Sequence, residues 1–313
     1  MKRLLRRLAG RALRPILARF ATEMPPVHWQ LYPGHTPLEA GLIAEFFRRD
    51  PPAEPGFIVD RLGVRTDVTV LWDGLATLAG TVVPPPFDAD FHAEAIEWIG
   101  LLKAVSGARD RFTAMELGAG WGPWLVAGAL AARSRGIVDL QLLGVEADPQ
   151  HFASMIAHFR NNDLDPAAHQ LHCAAVGPSD GTARWPRMAD PRNDWGRSPA
   201  SEGTDDATME VRIMGIAGLL ATQPVWDLVH IDVQGSEVEI CRAGLAGLQE
   251  RVRWLVIGTH SRVIEGALIA LLRDAGWVLE NEKPCRFTFS PTALDLVAMT
   301  TLDGTQVWRN PEM

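Results

Sequence analysis

The stretch Glu116-Leu-Gly118-Ala-Gly120-Trp-Gly122 decides the fold. A β-leaning run at 112–116 enters it and Pro123 opens a helical run through 135, so the glycines mark a strand-to-helix turn. Gly118 permits the tight bend, Gly120 lets backbone approach a ligand without an intervening side chain, and Gly122 allows close packing where the helix begins. A loop of this kind is a ligand floor. Its GxGxG spacing departs from the GxGxxG that seats a pyrophosphate on a helix N-terminus. Glu116, immediately ahead of it, would repel a diphosphate and attract an ammonium or sulfonium.

Downstream the same rhythm continues. Strands are expected at 140–146, 171–176, 225–232 and 252–257, with helices opening at Pro149 and spanning 237–248 and 263–275. The runs 277–279, 286–289 and 294–300 are β-rich and suit an antiparallel edge. Strands alternating with helices predict an α/β fold with a mostly parallel sheet. Glu146 ends the second strand 24 residues after Gly122, where an acid can accept both hydroxyls of a ribose. The plainer role for it is as an acid beside Asp148 at the start of the next helix. Ala174 and Ala175 are small enough to leave a slot for an adenine. Taken with Glu116, these features favour S-adenosyl-L-methionine over a nicotinamide dinucleotide. The expected cofactor residues are Glu116, Gly118, Ala119, Gly120, Trp121, Gly122, Glu146, Ala147, Ala174 and Ala175.

Upstream the chain reads differently. Residues 1–22 form a basic amphipathic segment, with Leu5, Leu8, Ala12 and Ile16 at helical spacing among seven cationic residues and no acid before 21. Such a helix suits an anionic membrane surface, and equally its own domain or a partner. Residues 23–108 are an accessory region with a small hairpin at 57–63 and 69–72, an extended Pro84-Pro85-Pro86, and a helix from about 93 to 105 capped by Asp88 or Asp90. The main domain is expected at 109–313. Within it, residues 177–210, rich in Pro, Asp, Gly and Ser but carrying Trp185 and Trp195, read as a substrate lid or a solvated insertion.

Composition narrows the classes. The 313 residues are 47% hydrophobic and 22% charged, which excludes bulk disorder, and the net charge of -8 argues against a nucleic-acid partner. Cys173, Cys241 and Cys285 form no CxxC pair, so neither a disulfide framework nor a zinc site is indicated and a reducing cytoplasm fits. No run approaches the roughly 18 apolar residues of a membrane span, and the N-terminus lacks a signal-peptide core.

The loop at 116–122, Val145-Glu146, Ala174-Ala175-Val176-Gly177 and Asp227-Leu-Val-His-Ile-Asp232-Val-Gln-Gly235-Ser-Glu237 together resemble the class I S-adenosylmethionine-dependent methyltransferases, and among them the FkbM type, over residues 110–300. That type usually reads Lys-Ile-Asp-Val-Glu-Gly-x-Glu, where this chain has His230 and Gln234, and follows its fifth strand with Glu-x-His, where this chain has Gly258-Thr-His260. The resemblance implies a Rossmann-like class I sheet, mostly parallel with an antiparallel edge, behind an N-terminal accessory segment. It also implies methyl transfer to an oxygen of a sugar, glycan or related natural product. Such transfer needs alignment of acceptor oxygen, methyl carbon and sulfur, together with a base. Asp232 and His260 end the fourth and fifth strands, at the ligand crevice of such a sheet. His260 is expected as that base, with Asp232 orienting it, holding the methionyl ammonium or sharing a metal ion. No metal is expected, since an octahedral oxygen site wants more carboxylates than the pattern supplies. His151, His158 and His169 read as surface or structural, and Trp121 as the tryptophan at the ligand. An NAD(P)-dependent oxidoreductase and a non-catalytic binding module on a degenerate fold are the alternatives.

Overall fold

The computed structural model describes residues 34–188, 190–195, 208–292 and 297–313. The expected basic helix at 1–22 lies outside them, as do residues 189 and 196–207 of the expected lid. The described chain is one compact unit, Gly34–Met313.

The elements follow in chain order. First come α1 (Pro37–Phe46), β1 (Phe57–Val59), β2 (Arg65–Asp67), β3 (Thr81–Val82) and α2 (Ala95–Gly107). Then β4 (Arg111–Leu117), α3 (Pro123–Ser134), β5 (Asp139–Glu146), α4 (Pro149–Asn161), β6 (Gln170–Cys173), β7 (Ala175–Gly177), β8 (Gly181–Pro186) and β9 (Thr208–Gly215). After α5 (Ile216–Leu220) the chain runs through β10 (Trp226–Ile231), α6 (Glu237–Arg251), β11 (Val252–Thr259) and α7 (Arg262–Asp274). It ends in β12 (Val278–Lys283), β13 (Arg286–Phe287), β14 (Thr300–Leu302) and β15 (Gly304–Arg309).

Among the described residues the main sheet has seven strands in the order β12-β15-β11-β10-β4-β5-β6. Parallel pairings join β11, β10, β4, β5 and β6, and β15 runs antiparallel to both of its neighbours. The antiparallel edge that the sequence suggested is present, with β12 outermost and antiparallel to its neighbour, but the strand reversed against the rest of the sheet is β15. It is inserted one place inside, between β11 and β12. Continuous apolar runs explain why the central strands were legible: β10 is buried along its whole length and β4 for six of seven residues, as expected of strands covered on both faces.

Four local expectations are corrected. The hairpin partner of β1 is the polar Arg65-Thr-Asp67 stretch, and Val68–Val70 is a short 3-10 turn. The α2 helix starts after Glu94, and Asp90 instead accepts the N–H groups of His92 and Ala93. The expected third strand divides: β6 stays in the main sheet, whereas β7 joins β9 and β8 in a small second sheet. The segment read as a loop thus contains β8 and the start of β9.

The region before 109 is built into the core. Ile43, Phe46 and Leu62 belong to the same apolar cluster as Trp98, Leu102, Phe112 and Val256. At Gly100 of α2 a Cβ would meet Val256 of β11 at 2.6 Å, so this helix lies directly on the sheet. Burying side chains such as Trp98, Ile99 and Leu102 contributes about 1.5–3 kcal/mol each. It also sets α2 and α3 over one face of β4 and β10, which positions the site.

Candidate active site

The three loop glycines all take left-handed backbone, with φ of +73° at Gly118, +52° at Gly120 and +69° at Gly122, but their duties differ. A Cβ on Gly118 would fall 1.7 Å from the carbonyl oxygen of Asp232, so this glycine lets β4 and β10 end side by side. Gly122 packs α3 against Met155 of α4 and does not line the cavity. Gly120 faces the cavity beneath Trp195 and donates its N–H to Glu146 Oε2 at 2.7 Å.

That cavity encloses about 390 Å³ at the carboxyl ends of β4, β5 and β10. Every expected cofactor residue other than Gly122 lines it: Glu116, Gly118, Ala119, Gly120, Trp121, Glu146, Ala147, Ala174 and Ala175. Glu146 Oε1 accepts the N–H of Asp148, and Asp148 itself caps α4 through Gln150 and His151. Capping therefore falls to Asp148, and Glu146 is fastened at the wall by two backbone donors. Burial pushes its carboxyl above the usual range despite these bonds. Glu116 is buried beneath α3, where it accepts the N–H of Leu125 at 3.0 Å. Burial, reinforced by the charges of Asp232 and Glu146, holds it well above the ordinary carboxylate range. It anchors the helix from beneath, with its charged form disfavoured, and Asp232 is the acid whose charge the surroundings favour. There burial works against the charge, but hydrogen bonding and charge from His260, with a hydrogen bond from Gln234, leave the Asp232 carboxyl below its ordinary range.

His260 is not the free base that its position suggested. It is absent from the cavity lining. Its Nε2 lies 3.2 Å from Asp232 Oδ1 and its Nδ1 2.8 Å from Glu237 Oε1. Glu237 is fully buried and its Oε1 also accepts the N–H of Gly235 at 3.0 Å. Burial lowers the basicity of the ring, but the two carboxylates outweigh it and raise the pKa to about 10. At neutral pH this imidazolium has no lone pair to accept a proton. Its work is to hold Asp232.

A folded-state pKa near 10 against about 6.5 in the unfolded chain means that stability from this group is complete below pH about 6.5 and fades as pH rises through 10. We expect wild type to lose about 3 kcal/mol more than His260→Gln between pH about 7 and about 10, as measured by urea unfolding. Parallel pH curves for the two proteins would refute the assignment.

Other wall residues escaped the sequence reading. His151 is buried, lines the cavity and stacks on Trp195, with ring centroids 4.0 Å apart and planes 4° from parallel. Its place in the first turn after Glu146 was the signal available. Trp185 and Trp195, from the segment read as a lid or insertion, lie on the same wall. Glu97 of α2, His230 of β10, His92 and Trp124 also line the cavity. His158 is structural as expected, bonded through Nδ1 to the carbonyl of Trp121.

No family model matches the chain. A curated protein of Jannaschia sp. (strain CCS1) that bears the name of a methyltransferase is 30% identical over 280 residues, covering 87% of this chain and 98% of its own. Two solved structures show looser resemblances, too weak to carry any argument. One is the methyltransferase FkbM from Methylobacillus flagellatus KT, with 12% identity over 64% of this chain and 45% of that one at a TM-score of 0.39. The other is precorrin-6y C5,15-methyltransferase from Geobacter metallireducens GS-15, with 11% identity over 70% and 87% at 0.37. Identity sustained along nearly the whole of the Jannaschia relative, on an α/β sheet of the class I kind, makes this chain a member of the methyltransferases.

Proposed function

We propose that this enzyme is an FkbM-type methyltransferase that binds S-adenosylmethionine across the glycine loop and methylates a hydroxyl of a sugar, glycan or related natural product. The observation that carries the cofactor reading is Glu146, fixed between the N–H groups of Gly120 and Asp148 with its carboxylate on the cavity wall. There it would accept the ribose hydroxyls. Ala147, Ala174 and Ala175 leave a smooth side-chain-poor slot for the adenine, and the anionic Asp232 faces the methionyl ammonium. Bound in this way, the cofactor supplies an electrophilic methyl group. Asp232 is held in place by His260, and Trp185 and Trp195 add aromatic surface to the cavity. For the acceptor, tryptophan faces such as Trp72 and Trp124 on the wall suit the apolar face of a sugar ring.

Calorimetry with S-adenosylhomocysteine tests the cofactor half. Wild type is expected to bind saturably, and Glu146→Ala to bind about 10- to 100-fold more weakly, the worth of hydrogen bonds to a charged group. Absence of saturable binding by folded wild type would overturn the reading. For the acceptor half, labelled methyl groups passed from S-adenosylmethionine into cell-extract fractions should emerge as methyl ethers. Label recovered on nitrogen or as a base-labile ester would exclude a hydroxyl acceptor.

A further inference from the structure

With His260 protonated and off the wall, the hydroxyl proton needs another acceptor, and the wall contains one already assembled. His230 stands on β10 directly opposite Glu116 of β4 in the sheet register, on the face covered by α2 and α3. It is buried, it lines the cavity, and neither ring nitrogen has a hydrogen-bond partner. A buried imidazole with both nitrogens unsatisfied is a standing deficit that a ligand hydroxyl would relieve. Its Nε2 lies 3.6 Å from Glu97 Oε2. The other oxygen of Glu97 accepts the hydroxyl of Thr305 at 3.2 Å, so β15 aims α2's carboxylate at β10's ring. Trp124 forms the adjoining surface, 5.4 Å from the His230 ring and 5.4 Å from that of His92. His92, whose ring nitrogens also lack a hydrogen bond, is the weaker candidate because Asp90 Oδ1 lies 3.0 Å from its Nδ1 and favours the protonated ring, which has no lone pair to offer.

We propose that His230 is the general base of the transfer and Glu97 its positioning residue, together marking the chamber where the acceptor hydroxyl sits. Glu97, facing Nε2 at 3.6 Å without a hydrogen bond in the resting structure, would draw the proton to Nε2 and leave the lone pair on Nδ1. As the acceptor oxygen forms its bond to the methyl carbon, the carbon–sulfur bond breaks with its electron pair left on sulfur. The O–H proton passes to Nδ1 and then to water, and the Glu97 carboxylate stabilises the imidazolium. The groups facing the ring are Glu97 from α2, Glu116 from β4 and Asp232 just past the end of β10. Burial disfavours the charged form of Glu116.

The inference rests on the proposed function, and the experiment separates the two. S-adenosylhomocysteine affinity is measured first for wild type, His230→Gln and Glu97→Gln, each checked for folding by circular dichroism. Affinity within about 2-fold of wild type is expected in both variants; if wild type itself fails to bind, it is the cofactor reading that falls. With the extract fraction that accepts label from wild type, His230→Gln should lower kcat about 10²- to 10⁴-fold with little change in KM. Glu97→Gln should lower kcat less and shift the acidic limb of its pH profile. Independently of any acceptor, 15N spectra of histidine-labelled enzyme should show the His230 ring with its proton on Nε2, a preference lost in Glu97→Gln. Turnover of His230→Gln within about 3-fold of wild type, or a His230 tautomer that Glu97→Gln leaves unchanged, overturns the proposal. If no fraction accepts label, the spectra decide alone.

Discussion

Replacing Glu237 with alanine is expected to lower stability by about 3–5 kcal/mol at neutral pH, the usual loss when one partner of a buried ion pair is removed. The residue has no exposed surface, and it accepts from the His260 ring and from the N–H groups of Gly235 and Val233. Those backbone groups lie in a turn that includes two left-handed residues, Gln234 at φ +55° and Gly235 at +108°. Truncation thus strips half the counter-charge from a half-buried imidazolium and frees the donors that hold the turn. Urea unfolding with an unchanged slope is the measurement. Glu237→Gln keeps an acceptor for the turn but removes the charge, and should fall between wild type and alanine. Because the imidazolium of wild type itself loses its proton as pH passes 10, the gap between wild type and Glu237→Ala must narrow there. A loss below about 1 kcal/mol at neutral pH would show that the ion triad contributes little.

Gly118→Ala is the second large effect. The added Cβ would stand 1.7 Å from a backbone oxygen at a φ of +73°, so neither a rotamer change nor a shift of a flexible side chain can relieve it. Either the loop or the end of β10 must move, and both form the cavity floor. We expect a loss of at least about 3 kcal/mol in stability and no measurable binding of S-adenosylhomocysteine by the folded fraction. Gly120→Ala provides the contrast. Its Cβ would approach the Trp195 ring at 3.4 Å, and the left-handed residue adds about 1 kcal/mol, so this variant should fold and bind more weakly. Equal tolerance of the two substitutions would mean that the loop does not hold β4 and β10 together.

How far the sequence could be read depended on how local each signal was. The strands β4, β5, β10 and β11 announce themselves as apolar runs, and the glycine loop carries its geometry in seven consecutive residues. By contrast β2 is Arg65-Thr-Asp67, a polar triplet made into a strand by its partner β1, and β15 places Thr305 and Gln306 in the interior, where alternation gives no warning. The cavity wall was legible because strand ends and the turns after them converge in a parallel α/β sheet. The base was not. A histidine at the end of a strand looks free until Glu237, 23 residues away, is seen to hold its other nitrogen. The His230 pair draws on residues 97, 230 and 305, which nothing short of the folded sheet brings together. Glu116 has the same limit, since its burial beneath α3 and its bond to the Leu125 N–H are set by the fold and not by its place before the glycines.

The inserted position of β15 bears on how the chain is made. During translation β11 and β12 leave the ribosome before the strand that must lie between them, and pairing them early would close the gap meant for it. A nascent chain halted near residue 302 would therefore present an open sheet margin at β11 and lack the threonine that aims Glu97, leaving it a substrate for chaperones rather than a slow enzyme.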